Sequence, residues 1–379
     1  MKKYPIFSSV FALLLLLFAT ACFEDDTPLL PPVEADLESD LAASLRINPN
    51  VPGAVALLDW PGHFSWSAAT GLSNQQQQVL MLADRQFVVA SLTKPMTATI
   101  VLQLMEEDHL HLDDPLANWL DPMVLDQLSS LDGEAHGNEI TIRQLLQHES
   151  GIRDYLNDGE LHISAYASDP ARHYSLEDRL EYAINLGEAQ FVPGSDFAYS
   201  NTNYILLGQL IEAVTESSLE EVFNQRLFEP LQMTQSYICP SAEALNHLAA
   251  GYYQDLEVST FSTAFNWCNP AGGVVSTVDD LKKFMRAWSE GTLFQMAATQ
   301  EVMLSPNVDG YGLGTRIFLD DNQYGRVYGH DGSDPAYFSY MLYAERWDAV
   351  LIYFGNRAEV EVNEPSWWIN RVLERLANQ

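Results

Sequence analysis

Lysine is scarce: five occur in 379 residues, at positions 2, 3, 94, 282 and 283, and Lys plus Arg number 19 against 52 Asp plus Glu. The resulting formal charge of −33 repels a phosphate backbone or an anionic membrane surface on average, which sets nucleic-acid binding aside. A lysine-poor, acidic surface instead suits solubility in saline or extracytoplasmic surroundings. Cysteine is rarer still, with three in all, no C-x-x-C pair and no His/Cys cluster at structural-zinc spacing. The nearest approach to a metal pair is His109-Leu110-His111 in an acidic turn, and two ligands without a third do not make a site, so no metal is expected there. Long hydrophobic runs are also missing, since the unbroken stretch Val10 to Phe18 is about half of the ~20 residues a membrane-spanning helix needs. What is present, 47% hydrophobic and 11% aromatic residues, fills the core of one large domain or two closely packed ones and excludes disorder as the main state.

The N-terminus reads as an address. Lys2 and Lys3 precede the apolar run, Ala19-Thr20-Ala21 supplies small residues, and Cys22 follows, a pattern that resembles a bacterial lipoprotein signal. The expectation is a signal peptide over residues 1–21, lipidation at Cys22, a tether over residues 22–39, and a folded domain over residues 40–379. That places the chain in the cell envelope, lipid-anchored and facing the periplasm or the surface. Cys239 and Cys268 would then sit where a disulfide can persist, and the sequence leaves open whether they pair or are separate buried thiols.

Hydrophobic periodicity gives the organisation. Glu34 to Leu45 has helical spacing, and Val55 to Leu58 and Phe64 to Ala68 read as strands joined by a Pro61-Gly62 turn. Ser91 to Met105 is a helix pattern with Met96, Ile100 and Leu104 on one stripe. The middle, roughly 113–290, is dominated by helical stretches, including Thr141 to Gln147, Leu176 to Leu186, Asn203 to Thr215 and Val278 to Trp288. Strands return at Gly312 to Leu319, Arg326 to Gly329, Tyr337 to Tyr343 and Ala349 to Phe354, and Glu364 to Ala377 closes as a helix. The fold class predicted is α/β (α+β): an antiparallel sheet flanked by helices and built from both chain ends, with an all-helical subdomain inserted in the middle.

Three motifs carry chemistry. Ser91-Leu92-Thr93-Lys94 opens a helix, and a serine and lysine three apart share a face, so the amine can reach the hydroxyl. A desolvated lysine can be neutral near pH 7 and take the proton of a serine nucleophile. Tyr199-Ser200-Asn201 places a phenol and an amide two residues apart, pointing the same way from an extended segment, although Ser200, Asn201 or Thr202 could equally cap the next helix. Gly329-His330-Asp331-Gly332-Ser333 lies in a strand-rich context, where glycines let a substrate backbone come close, although Asp-Gly is also a turn dipeptide.

In this order and spacing the three motifs resemble the serine β-lactamase and penicillin-binding-protein superfamily, most closely the group of class C β-lactamases, D-alanyl-D-alanine carboxypeptidases, D-aminopeptidases and related esterases. The segments LDDPLANWL, LLQHESGIRDY, NPAGGVVSTVDDLKKF, YGLG and GHDGSDPAYFSYM extend the likeness over roughly residues 40–375. The resemblance implies an acyl-enzyme on Ser91, with Lys94 and Tyr199 moving the proton and Asn201 orienting the substrate. It also implies an oxyanion hole from the Ser91 and Ser333 amides beside Gly332, His330 lining the opposite wall, and no cofactor. The departures are His330 where β-lactamases of the group usually have lysine, Asp331 where a small residue or threonine is common, Ala336 for glycine and Glu149 for threonine. His330 lowers the expectation of efficient penicillin hydrolysis. Asp331 would disfavour anionic substrates, and Arg316 reads as a solvated strand arginine more than as an anion clamp. The function expected is a D-amino-acid peptidase, amidase or esterase of the cell envelope acting on a small-molecule or peptide amide or ester. A class C-like β-lactamase and a non-catalytic binding lipoprotein are the alternatives, and a monomer is expected.

Overall fold

The computed structural model describes residues 32–158, 161, 165, 168–358 and 367–378. The signal peptide and Cys22 lie outside the described residues. Seven strands form one antiparallel sheet: β1 (Gly53–Trp60), β2 (Phe64–Asn74), β3 (Val79–Leu80), β4 (Arg316–Asp321), β5 (Gly325–Ser333), β6 (Phe338–Ala344) and β7 (Ala349–Gly355). Their order is β3-β2-β1-β7-β6-β5-β4, so the two chain ends meet where β1 pairs with β7, for example Leu57 with Ile352. Gly62 at φ +80° makes the β1–β2 turn that the Pro-Gly dipeptide announced. β4 starts only at Arg316, later than its pattern suggests, because Gly312 and Thr315 close a turn (N···O 2.8 Å) and Gly314 takes φ +74°.

One face of the sheet carries α1 (Pro32–Ile47) and the C-terminal helix, the last of six labelled here and therefore α6 (Trp367–Ala377). Leu37 and Leu41 of α1 and Trp368, Val372 and Leu373 of α6 are buried with Trp66 and Tyr353, and Trp66 stacks on Trp368 at 6.2 Å. Truncating Trp368 to alanine in such a core costs about 3–5 kcal/mol. This corrects the tether boundary: from Pro32 onward the chain is helix and part of the fold, held also by Arg375 pairing with Asp36 and Asp40. Acidic composition suggested a linker, and the buried leucines at helical spacing override it.

The opposite face borders the larger core, which takes in α2 (Thr93–Glu106), α3 (Leu176–Asn185), α4 (Asn201–Thr215) and α5 (Val278–Ser289), with site residues at α2 and at the start of α4. α5 packs on β1, β6 and β7, where Arg286 bridges Asp59 and Asp348 at 2.6 Å each, so it belongs with the sheet rather than with the inserted helices. The insertion is also not purely helical, since Tyr252–Tyr253 pairs with Leu256–Glu257, and Val275–Ser276 pairs with Phe87–Val88 just ahead of α2. Cys239 and Cys268 form a disulfide. Among the described residues, no helix is long and apolar enough to cross a membrane and no group of three metal-ligating side chains forms; His109 sits 3.6 Å from Glu107 instead.

Candidate active site

The strand Phe87–Val88 ends in a strained turn: Ala90 holds φ +50°, which costs a non-glycine residue about 1 kcal/mol or more, and Ala90–Leu92 forms a single tight turn leading into α2. Ser91 thus sits at the mouth of α2, and Lys94, one turn on, is fully buried. Lys94 Nζ lies 3.0 Å from Ser91 Oγ, 2.8 Å from Asn201 Oδ1 and 2.7 Å from the Ala271 carbonyl. Two of these three neighbours are pure acceptors. A neutral amine has two hydrogens and one lone pair, so Asn201 and Ala271 take the hydrogens and the lone pair is left facing Ser91. Burial lowers the Lys94 pKa to about 7, against the pull of the Asp154 carboxylate and with some help from Arg316. The amine is therefore poised between its two forms at neutral pH.

Tyr199 Oη donates to Ser91 Oγ at 2.9 Å. Burial holds its phenol far above the ordinary tyrosine value, only partly offset by the Ser91 hydrogen bond and Arg316, so it remains protonated and acts as a proton-bearing donor. Ser200 is the N-cap position of α4, yet its side chain makes no cap bond, and Asn201 is the first helical residue. The extended Ser200 (φ −139°) lets Tyr199 and Asn201 converge on the Ser91–Lys94 pair.

The third motif is a strand, not a turn: Ser333 pairs with Phe338 and Gly332 with Ser339 between β5 and β6. A Cβ on Gly332 would stand 2.5 Å from the Val89 carbonyl and 3.1 Å from the Ser91 nitrogen, so only glycine lets β5 approach the Ser91 backbone. Ser333 and Ser91 both line the cleft, together with Tyr155, Asn201, Phe265, Asn269, Asp334 and Pro335 among others. His330 departs from expectation. It is 1% exposed, Tyr311 Oη donates to its Nε2 at 2.9 Å, and its Nδ1 donates to the Asp331 carbonyl, so it stands behind the wall rather than lining it. Burial lowers its pKa to about 3 with Lys94 and Arg316 adding to the effect, and the imidazole is neutral.

Two further residues escaped the sequence reading. Asp154, 1% exposed, accepts from Asn201 Nδ2 at 2.9 Å and so fixes the amide with its oxygen toward Lys94. Burial raises its pKa, opposed by donors from Leu156, Asn157 and Asn201 and by the Lys94 charge. His148, fully buried at φ +59°, accepts the Ser200 amide on Nδ1 at 3.1 Å while its carbonyl accepts the Ala198 amide at 3.0 Å. Its ring lies 4.2 Å from that of Tyr199, which is therefore braced from both backbone neighbours and beneath. Both residues sit in LLQHESGIRDY, and a lone aspartate or histidine in a loop gives no local signal of either role. Glu149 accepts from Asn307 at 3.0 Å, away from Ser91, and Ala336 is buried against Gly251.

The cleft at Ser91 is tight, with about 20 Å³ of free volume, and shares Leu156, Ser333, Asp334 and Pro335 with a wider cavity of about 280 Å³ whose other walls are Asn157, Tyr253 and Ala358. Larger cavities of about 590 and 770 Å³ lie elsewhere, in the inserted helices and beside Cys239.

Fold and site together define a protein of the serine β-lactamase and penicillin-binding-protein superfamily. The family model described as Beta-lactamase matches residues 37–375, and the chain belongs to that family. It is 27% identical over 319 residues to Penicillin-binding protein 4 of Amycolatopsis lactamdurans, covering 79% of each chain. It is 26% identical to Penicillin-binding protein 4* of Bacillus subtilis, covering 79% of this chain and 66% of that one. Among solved structures it is similar to a D-stereospecific amidohydrolase from Streptomyces (TM-score 0.75, 26% identity, 89% of this chain and 97% of that one). It is also similar to an octameric penicillin-binding protein homologue from Pyrococcus abyssi (TM-score 0.78, 25% identity, 91% and 77%).

Proposed function

We propose that the chain is a serine hydrolase that works through an acyl-enzyme on Ser91 and cleaves D-amino-acid amides, peptides or small esters. The observation that carries this reading is the Lys94 amine, buried, with its pKa lowered to about 7, and held by two carbonyl acceptors so that its lone pair meets Ser91 Oγ at 3.0 Å. In the acylation step Ser91 attacks the substrate carbonyl carbon and its proton passes to Lys94. The tetrahedral oxyanion is met by the Ser91 and Ser333 amides, a pair of which each member is worth about 10²- to 10³-fold in rate. Collapse breaks the scissile bond, and the proton returns through Lys94 and Tyr199 to the leaving nitrogen or oxygen. Water then enters along the same proton route and frees the acid, restoring Ser91.

The amide and D-configured preference follows the likeness to the Streptomyces amidohydrolase, and a β-lactamase reading is disfavoured by His330, which is neutral and buried where a fixed cation would be needed. The same reading keeps the lipoprotein address, with Cys22 as the lipid-bearing residue and the envelope as the place of action. The test is a panel on the protein beginning after Cys22: a D-aminoacyl anilide, a D-alanyl-D-alanine peptide, p-nitrophenyl butyrate and nitrocefin, each with Ser91→Ala as control. Cleavage of the anilide or ester with nitrocefin nearly inert is the expected result, together with fluorophosphonate labelling that Ser91→Ala abolishes. Silence on all four with no labelling would return the chain to a binding role.

A further inference from the structure

We propose that Arg316 and Asp331 form a charge filter at the entrance to Ser91, holding the approach electrically neutral so that the site selects neutral or cationic acyl donors over carboxylate-bearing ones. This rests on the serine-hydrolase reading above. Arg316 opens β4 opposite Gly329 of β5, and its Nη1 stands 3.3 Å from Asp331 Oδ1. The guanidinium lies over the Tyr199 ring at 5.5 Å and the Tyr311 ring at 6.0 Å, and Tyr199 Oη touches Ser91 Oγ, so the pair is one aromatic ring away from the nucleophile. Arg316 is 40% exposed and Asp331 37%, and neither lines the cleft or its adjoining cavity, so the pair acts on an incoming substrate through its field.

The walls themselves offer an anion little. Among the described residues, those lining the cleft and its adjoining cavity include no lysine or arginine, and the one formally charged side chain is Asp334. Lys94 is wholly buried and engaged with Ser91, Asn201 and Ala271. Arg316 is thus the exposed cation whose field reaches Lys94 and Tyr199, and Asp331 acts on both with the opposite sign. The two charges cancel for a distant ligand, and a carboxylate drawn to Arg316 meets Asp331 at the same spot.

The experiment compares kcat/KM for p-nitrophenyl pentanoate and mono-p-nitrophenyl glutarate, acyl groups of similar length that differ in charge. Reading the ratio within each variant cancels any general loss of activity. The wild type should favour the neutral ester. Asp331→Asn should cut that preference about threefold to tenfold, the scale of one half-solvated charge a few ångströms away. Arg316→Gln should enlarge the preference, the double variant should return toward the wild-type ratio, and Arg316→Lys, which keeps the charge, should stay near it. A ratio unmoved in both single variants, or moved in the same direction by both, overturns the filter while leaving the hydrolase reading intact. Failure of the wild type to cleave either ester overturns that reading and the filter with it.

Discussion

Replacing Asp154 with asparagine should move the acid limb of the rate profile toward lower pH. The carboxylate and the Lys94 amine are joined through the Asn201 amide, by contacts of 2.9 and 2.8 Å, which puts the two charges within about 8 Å. At an effective dielectric of about 20 that separation is worth about 2 kcal/mol, or about one and a half pH units. The sign is fixed by the geometry: an ionised Asp154 favours the ammonium, so removing it favours the neutral amine. In the wild type, kcat/KM for a neutral ester should rise with pH through about 7 and level off above, as Lys94 loses its proton. In Asp154→Asn the rise should be centred about one pH unit or more lower, with a reduced plateau because a weaker base transfers the proton less readily. The assay is initial-rate hydrolysis of a p-nitrophenyl ester from pH 5 to 9, on variants whose circular dichroism and unfolding midpoint show an intact fold. An acid limb that stays in place, or shifts upward, would refute the assignment of Lys94 as the titrating base.

Three more outcomes follow from the same contacts. Tyr199→Phe removes the donor 2.9 Å from Ser91 Oγ and should lower kcat about a hundredfold with KM changed little, since the phenol acts on the proton and not on binding; stopped-flow acylation separates the two. His148→Ala leaves the Ser200 amide without its acceptor and Tyr199 without its brace, so kcat should fall about tenfold with KM nearly constant, and His148→Asn, which can restore an acceptor, should recover part of it. Replacing Cys239 and Cys268 by serine opens a cross-link between residues 29 apart and should cost about 3–4 kcal/mol in denaturant unfolding, if constraint of the unfolded chain is the main contribution.

The parts of this site that the sequence reveals are those with short-range periodicity. Ser91 and Lys94 meet because residues three apart share a helix face, and Tyr199 and Asn201 converge because alternate residues of an extended segment do. The longer strands and helices on either side were legible for the same reason, whereas ends such as β4, where a Gly-rich turn delays the strand, and two-residue pairings such as Tyr252–Tyr253 with Leu256–Glu257 were not. What stayed hidden depends on contacts between distant segments. The Ala271 carbonyl that takes a Lys94 hydrogen is a backbone atom with no sequence signature, and it reaches α2 because Thr97 Oγ1 bonds the Pro270 carbonyl at 2.7 Å and Thr93 Oγ1 accepts the Val274 amide at 3.1 Å. His330 sits in a recognisable motif, but its burial, which keeps the ring neutral, and its contact with Tyr311, nineteen residues upstream, come from the packing of distant segments.

These contacts also explain how the lysine proposed as the base keeps a lowered pKa in so acidic a protein. With a formal charge of −33 the average field would hold an amine protonated, and an exposed lysine would never act as a base at pH 7. Burial counters this locally: Lys94 gives up solvation for three hydrogen-bond partners of which two can only accept, while Asp154 is kept one amide away instead of in direct contact. The neighbouring rings add no competing titration in this range, because burial drives His148 and His330 down and Tyr199 and Tyr311 up. In the hydrolase proposed here, discrimination among substrates would rest on the cavity beyond Ser91, lined by Leu156, Tyr253 and Pro335, and on the nearby Arg316–Asp331 pair.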